Sequence, residues 1–172
     1  MLNNNCFFIS AIGDSNSEQR RNSNEVIEQL IKPVMDSIGF KVVRADLING
    51  PTQIFEDIKN HLNLDEIVIA DISYNNPNVF FEIGYRYSNN LDKDKSKMPI
   101  LIRRKDSNFY PPFDISGFRY LEYELKSSTI EYEKAKLLDY TGLNELPNNL
   151  RTLFDVKGNE IQVIVIPNKD PK

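Results

Sequence analysis

Three short stretches of the chain carry residue types suited to chemistry, and each begins where an apolar run gives way to polar residues. The first is Ser10-Ala11-Ile12-Gly13-Asp14-Ser15. Its hydroxyls and amide N–H groups suit a phosphate or a ribose, and Gly13 lets a ligand come close to the backbone. The turn has neither the Gly-Lys-Ser/Thr of a phosphate loop nor GxGxxG, so by itself it names no ligand.

The second is Asp71, which closes the apolar run Glu66 to Asp71 (EIVIAD). A carboxylate at the carboxyl end of a buried strand stands where open α/β sheets bind their ligands. The alternative is a turn residue that holds the following loop to Asn75 or Asn76.

The third is the pair Asn78 and Glu82 within Asn76-Pro77-Asn78-Val79-Phe80-Phe81-Glu82-Ile83-Gly84-Tyr85. With Asn76 as cap and Pro77 as first helical residue, Val79, Phe80, Ile83, Gly84 and Tyr87 fall on the face toward a sheet. Gly84 then allows close packing there. Asn78, Glu82, Tyr85 and Arg86 make the other face, with Asn78 and Glu82 one turn apart. Glu82 is either a reacting carboxylate beside the strand-end loop or a solvated one paired with Arg86, worth roughly a few tenths of a kcal/mol. Tyr85 and Phe81 add apolar surface to this polar side, which a partner subunit would cover. Arg20, Arg21, Arg103 and Arg104 are within the range of types that grip phosphate, or are simply solvated.

The elements that must position these residues follow from periodicity. Cys6 to Ile12 reads as a buried strand ending in the polar turn Gly13 to Ser17, and Glu18 to Ile38 carries a helical apolar stripe through Val26, Ile27, Leu30, Ile31, Val34, Met35 and Ile38. Gly39 stops that helix and Phe40 to Arg44 is β-prone. Pro51 opens a second helix with Ile54, Phe55, Ile58 and Leu62 on one face. Glu66 to Asp71 is a strand buried on both faces, Pro77 to about Asn90 a third helix, Asp92 to Lys97 a charged loop and Met98 to Arg103 a fourth strand. Pro111-Pro112 marks a turn, Phe118 to Tyr123 a fifth strand, and Ser128 to Tyr140 a helix capped by Ser127 or Ser128. Ile161 to Ile166 (IQVIVI) is a late strand with no assigned position.

This alternation predicts a flavodoxin-like or Rossmann-like open three-layer α/β sandwich, with a mostly parallel central sheet of about five strands. Ligands then bind at the carboxyl edge, where Gly13 to Ser17, Asp46 to Gly50 and Asp71 to Asn78 converge. Residues 1–125 form the α/β domain, and residues 126–172 add a C-terminal helix and the late strand to the same domain.

Length and composition bound the answer. The chain has 172 residues, enough for one core, and 21 basic against 25 acidic side chains give a net charge of -4. The absence of a dense basic stretch argues against duplex nucleic acid as a partner. Apolar runs are of strand length, which argues against a membrane span, and the start Met-Leu-Asn-Asn-Asn lacks a basic-then-apolar signal, so the expected location is cytoplasmic. Cys6 and His61 are the sole residues of their types. Neither a disulfide nor a Cys-based zinc cage can be built from them, and no metal is expected.

Phe8-Ile9-Ser10-Ala11-Ile12-Gly13, Val43-Arg44-Ala45-Asp46, Ile69-Ala70-Asp71-Ile72-Ser73, Asn76-Pro77-Asn78-Val79-Phe80-Phe81-Glu82-Ile83-Gly84 and Pro112-Phe113-Asp114-Ile115-Ser116-Gly117 together resemble the nucleoside 2-deoxyribosyltransferase-like family. That family is related to TIR domains and common among bacterial anti-phage defence proteins. The resemblance spans roughly the first 125 residues, and its most specific part is the stretch Asn76 to Gly84. It implies cleavage or transfer at an N-glycosidic bond, with Glu82 acting at the anomeric carbon and Asp71 holding or protonating the base. Ser10, Ile12, Gly13, Asp14 and Asp46 would line the ribose or phosphate side, and Asn78 would orient Glu82 or a sugar hydroxyl. A carboxylate suits this chemistry because breaking the C1′–N bond develops oxocarbenium character that an anion stabilises or traps.

The family's deoxyribosyltransferases carry an Asp-Ser-Gly-Thr-like stretch ahead of the glutamate, where this chain has Asn75-Asn76-Pro77-Asn78. That departure favours hydrolysis of NAD or a related nucleotide, with NAD as substrate and no cofactor. The alternatives are deoxyribosyl transfer between bases, deoxynucleotide hydrolysis, or a non-catalytic nucleotide-sensing or assembly module. A homodimer or larger homo-oligomer is expected under each, since family sites are often completed by a neighbouring subunit.

Overall fold

The computed structural model describes residues 4–47, 54–90 and 97–143. Within them five strands form one sheet in the order β2-β1-β3-β4-β5: β1 (Asn5–Ile9), β2 (Lys41–Arg44), β3 (Ile67–Asp71), β4 (Ile100–Arg104) and β5 (Tyr120–Tyr123). Every pairing is parallel, with Phe8 opposite Arg44 and Ile69, and Ala70 opposite Leu101. Parallel neighbours need crossover connections, and the chain supplies helices that cover both faces. This is the flavodoxin-like order, and the reversal of direction in the order falls between β1 and β3.

Alternate residues of β1, β3, β4 and β5 feed two cores. Cys6, Phe8, Ile67, Ile69, Ile102, Leu121 and Tyr123 face one layer, and Phe7, Ile9, Val68, Ala70 and Leu101 face the other. All five residues of β3 are buried, as a strand covered on both sides requires. Each large aliphatic side chain so buried contributes about 1.5–3 kcal/mol.

The first layer is built by α1 (Glu18–Val26), a π-helical turn (Ile27–Ile31), α2 (Lys32–Ser37) and α6 (Ile130–Thr141). The single helix expected over Glu18 to Ile38 thus contains a wide turn, placed just before Pro33. Proline lacks the N–H that would bond Gln29, and the wider turn absorbs that break without ending the helix. Gly39, at φ +79°, then reverses the chain into β2.

The second layer is built by α3 (Ile54–Leu64) and α4 (Pro77–Asn90), packed on Phe7, Val68 and Leu101 through Leu62, Val79 and Ile83. Two local readings change. A short helix, α5 (Phe113–Ser116), follows the Pro111-Pro112 turn, and α6 starts from Thr129 with no side-chain cap in place of Ser127 or Ser128. Leu137 of α6 lies in the first core, so the helix beyond residue 125 packs with the α/β domain. The late strand Ile161 to Ile166, the start at Pro51 and most of the Asp92 to Lys97 loop lie outside the described residues. No helix among the described residues is long and apolar enough to cross a membrane.

Candidate functional site: a glutamate groove and a buried aspartate

The start of α4 is set by its own sequence. The Asn76 side-chain oxygen accepts from the Asn78 N–H at 2.9 Å and the Val79 N–H at 3.3 Å, so free amide donors of the first turn are satisfied. Val79 and Ile83 then face the sheet, but the rest of the buried face differs from the expected one. It continues through Arg86 and Asn90, while Gly84 is exposed with open space where a Cβ would stand.

Arg86 is fully buried and does not pair with Glu82. Its guanidinium donates to the carbonyls of Lys97 at 2.6 Å, Leu62 at 2.8 Å and Glu66 at 3.3 Å, joining the end of α3 to the approaches of β3 and β4. A long side chain whose donors match several carbonyls is more stable inside than the exposed pairing would be. Glu82 loses the partner that a purely solvated role would have given it.

Glu82 lines a groove of about 450 Å³ between α3 and α4, with Phe55, Ile58, Lys59, Leu62, Asn78, Phe81 and Tyr85. Phe55 and Phe81 stand at 51% and 59% exposure with ring centroids 6.4 Å apart. Lys59 pairs with Glu56 on its own helix at 3.2 Å. Among the described residues no hydrogen bond or ion pair holds Glu82, and burial against these apolar walls pushes its carboxyl up to about 7. Asn78 and Glu82 do share the groove, as their spacing requires.

Asp71 is placed differently. It is 2% exposed, and its carboxylate accepts from the Ser73 N–H at 2.9 Å and the Ser73 hydroxyl on one oxygen. The other oxygen accepts from the Tyr123 hydroxyl at 2.8 Å and the Asn22 amide at 3.2 Å. Desolvation raises its pKa, and these donors only partly offset it. Ser73 in turn receives the Arg104 N–H at 2.8 Å, and its carbonyl accepts from the Ser107 hydroxyl. Asp71 therefore ties the loop after β3 to α1, β4 and β5, through Ser73 and not through Asn75 or Asn76.

The turn after β1 is also braced internally. Ser10 shares a 2.6 Å hydrogen bond with Ser23 of α1. Gly13 has φ +55°, and Ser17, the cap of α1, donates to the Asp14 carbonyl at 2.7 Å and the Ile12 carbonyl at 3.5 Å while accepting from the Arg20 N–H at 3.1 Å. Asp14 is exposed. Asp46 sits between Arg20 and Arg44, with Arg44 Nε at 2.5 Å. Desolvation pushes the Asp46 carboxyl up, but the two arginines reverse this and leave it below its ordinary value. Arg20 Nε is buried with no hydrogen-bond partner among the described residues. Arg103, expected near the surface, is instead 5% exposed and holds the Ser107 and Phe109 carbonyls and Glu122.

The predicted residues thus divide into two groups. Asn78 and Glu82 share the α3–α4 groove, whereas Asp71 reaches α1, and Ser10 reaches the next residue of that helix. A second cleft, of about 460 Å³, opens on the α1 side at the carboxyl ends of β3 and β4 and includes Glu18, Asn22, Tyr74, Arg104 and Phe109. Sequence reasoning passed over it. The i, i+4, i+7 spacing of Glu18, Asn22 and Glu25 was the available signal, a polar stripe on a helix that otherwise packs. Among the described residues no cluster of His, Cys, Asp and Glu is arranged to hold a metal ion.

Fold and sheet order define the chain as a flavodoxin-like three-layer α/β protein. Comparison with protein-family models gives no match, and comparison with curated proteins gives none either.

Proposed function

We propose that the chain is an N-glycosidase that hydrolyses the bond between C1′ and the base nitrogen of NAD or a related nucleotide, with Glu82 as the catalytic carboxylate. The observation that carries this reading is Glu82 itself: a desolvated carboxylate, without a partner among the described residues, in an apolar groove with two aromatic rings at its rim. The set of residues around it suits a flat cationic ring. Phe55, Phe81 and Tyr85 offer faces for a pyridinium to stack on, and a cation beside Glu82 favours its ionised form.

In the reaction the C1′–N bond breaks and its electron pair returns to the ring, which neutralises the pyridinium and removes the need for a general acid. The sugar is left with oxocarbenium character. Glu82 either stabilises that cation or forms a glycosyl ester with it; water then bonds to C1′, the ester C1′–O bond breaking to restore the Glu82 carboxylate where an ester has formed, and the water's proton passes to solvent. Asn78, one turn earlier in the groove, orients Glu82 or a sugar hydroxyl. Asp71 serves by holding the loop that leads into α4, while Ser10, Ile12, Gly13, Asp14 and Asp46 are braced on the α1 side, are not among the residues that line the groove, and serve here only to hold the carboxyl edge. A second copy of the chain covering the exposed rim of Phe55 and Phe81 would exclude water from the groove.

Purified protein incubated with NAD is expected to release nicotinamide, and Glu82→Gln to reduce the rate at least about 100-fold, the lower end of what one preorganised group facing developing charge contributes. Full activity in Glu82→Gln ends the assignment. Release that requires an added acceptor base identifies transfer in place of hydrolysis.

A further inference from the structure

The cleft on the α1 side belongs to none of the roles above. Its lining comes from three separate elements: Glu18, Arg21, Asn22 and Glu25 from α1, Tyr74 from the loop after β3, and Arg104 with Asp106 to Phe109 from the end of β4 and the loop beyond it. It stands at the carboxyl edge, where open α/β sheets take their ligands, but on the opposite layer from Glu82.

Two features narrow the chemistry of an occupant. Tyr74 and Phe109 make an aromatic wall, with ring centroids 5.9 Å apart and an interplanar angle of 51°. Phe109 is 44% exposed, so part of a phenyl face is available for stacking. The Tyr74 hydroxyl donates to Glu18 at 3.0 Å, and burial together with that carboxylate pushes the phenol up to about 12, so it remains a donor across the physiological range.

Charge decides the rest. Arg104 is already engaged by Asn22 at 2.5 Å, Asp106 at 2.8 Å and Glu25 at 3.4 Å, and Arg21 donates to the Asn16 carbonyl at 2.7 Å. Three carboxylates, Glu18, Glu25 and Asp106, thus face two arginines whose donors are partly committed. Such a lining accepts hydrogen bonds from amino groups and repels phosphate.

We propose that this cleft is a second small-molecule site, one that takes a planar heteroaromatic base bearing an exocyclic amino group, as the free base or its nucleoside and not as a phosphorylated nucleotide. The ring stacks on Phe109 and Tyr74, and its amino group donates to Glu18 or Glu25. The proposal stands independently of the glycosidase reading, because no residue of the Glu82 groove lines it.

Calorimetric titration of the intact chain with adenosine, and separately with AMP, tests it. Adenosine is expected to bind and AMP to bind more weakly. Phe109→Ala should weaken adenosine about fivefold or more, the lower end of what one stacked base contributes. Glu18→Gln should weaken it as well, and Phe109→Ala should leave nicotinamide release unchanged. Absence of adenosine binding at millimolar concentration, tighter binding of AMP, or an affinity untouched by both substitutions overturns the proposal. An affinity lost in Glu82→Gln but kept in Phe109→Ala moves the base to the α3–α4 groove and overturns it equally.

Discussion

Asp71 and Glu82 lie on opposite sides of the sheet: Asp71 reaches Asn22 of α1 at 3.2 Å, while Glu82 lines the groove that α4 makes with α3. The two carboxylates that sequence reasoning joined in one site therefore have different surroundings and different tasks. Asp71 is saturated with donors, and Glu82 has none among the described residues.

The raised carboxyl of Glu82 makes stability depend on pH. Its folded value of about 7 stands above its ordinary 4.5, so between those values the folded chain keeps a proton that the unfolded chain has released. Stability attributable to this group accordingly falls as pH rises from about 4.5 to about 7 and is level above that. Urea denaturation at pH 8 should find Glu82→Gln more stable than wild type by about 1–2 kcal/mol, allowing for screening by water at the groove mouth. The difference should vanish near pH 4. In the glycosidase reading kcat/KM rises through the same pH region, because the ionised form acts. A stability difference that does not change with pH would mean that Glu82 is not desolvated.

Removing the acceptor at position 71 should be costly. In Asp71→Ala the Tyr123 hydroxyl, the Asn22 amide and the Ser73 N–H lose their common partner inside the protein. A loss of about 2–4 kcal/mol in urea or thermal unfolding is expected from stranding several buried donors. A change below about 0.5 kcal/mol, the ordinary size of a surface substitution, would show that the network does not hold the loop.

The turn after β1 offers a third test. A Cβ built on Gly13 would stand 2.6 Å from the Ser17 hydroxyl oxygen, and the backbone there has φ +55°. Gly13→Ala should cost about 1–2 kcal/mol, from left-handed strain plus displacement of the α1 cap. Because Ser17→Ala removes the atom in the way, the double variant should be less destabilised than the sum of the two single changes. Strict additivity would sink the contact.

Much of the architecture was legible in the residues because it rests on local patterning. The apolar runs that became β1, β3 and β4, the stripe that became α1 and α2, and the Asn76-Pro77 start of α4 all follow from nearest-neighbour chemistry. The placement of Asn78 and Glu82 on one face of α4 followed from helical spacing. The π-helical turn before Pro33 and the missing side-chain cap on α6 did not, since each depends on how neighbouring turns compete for backbone groups.

Long-range partners were harder to read. Periodicity assigned Arg86 to the open face of α4 because a charged residue is costly to bury alone. The fold brings the carbonyls of Leu62, Glu66 and Lys97 to it, and that arrangement exists only once α3, β3 and the approach to β4 have met.

By its own order of residues the chain determined an alternating α/β succession, a parallel sheet buried on both faces, and a glutamate one turn beyond an asparagine on the helix after β3. Only the tertiary structure decided that Asp71 turns toward α1 while Glu82 turns toward α3. The reason is geometric: successive strand residues point to opposite faces, so the partners of a residue at a strand end depend on which helix the crossovers lay over that face.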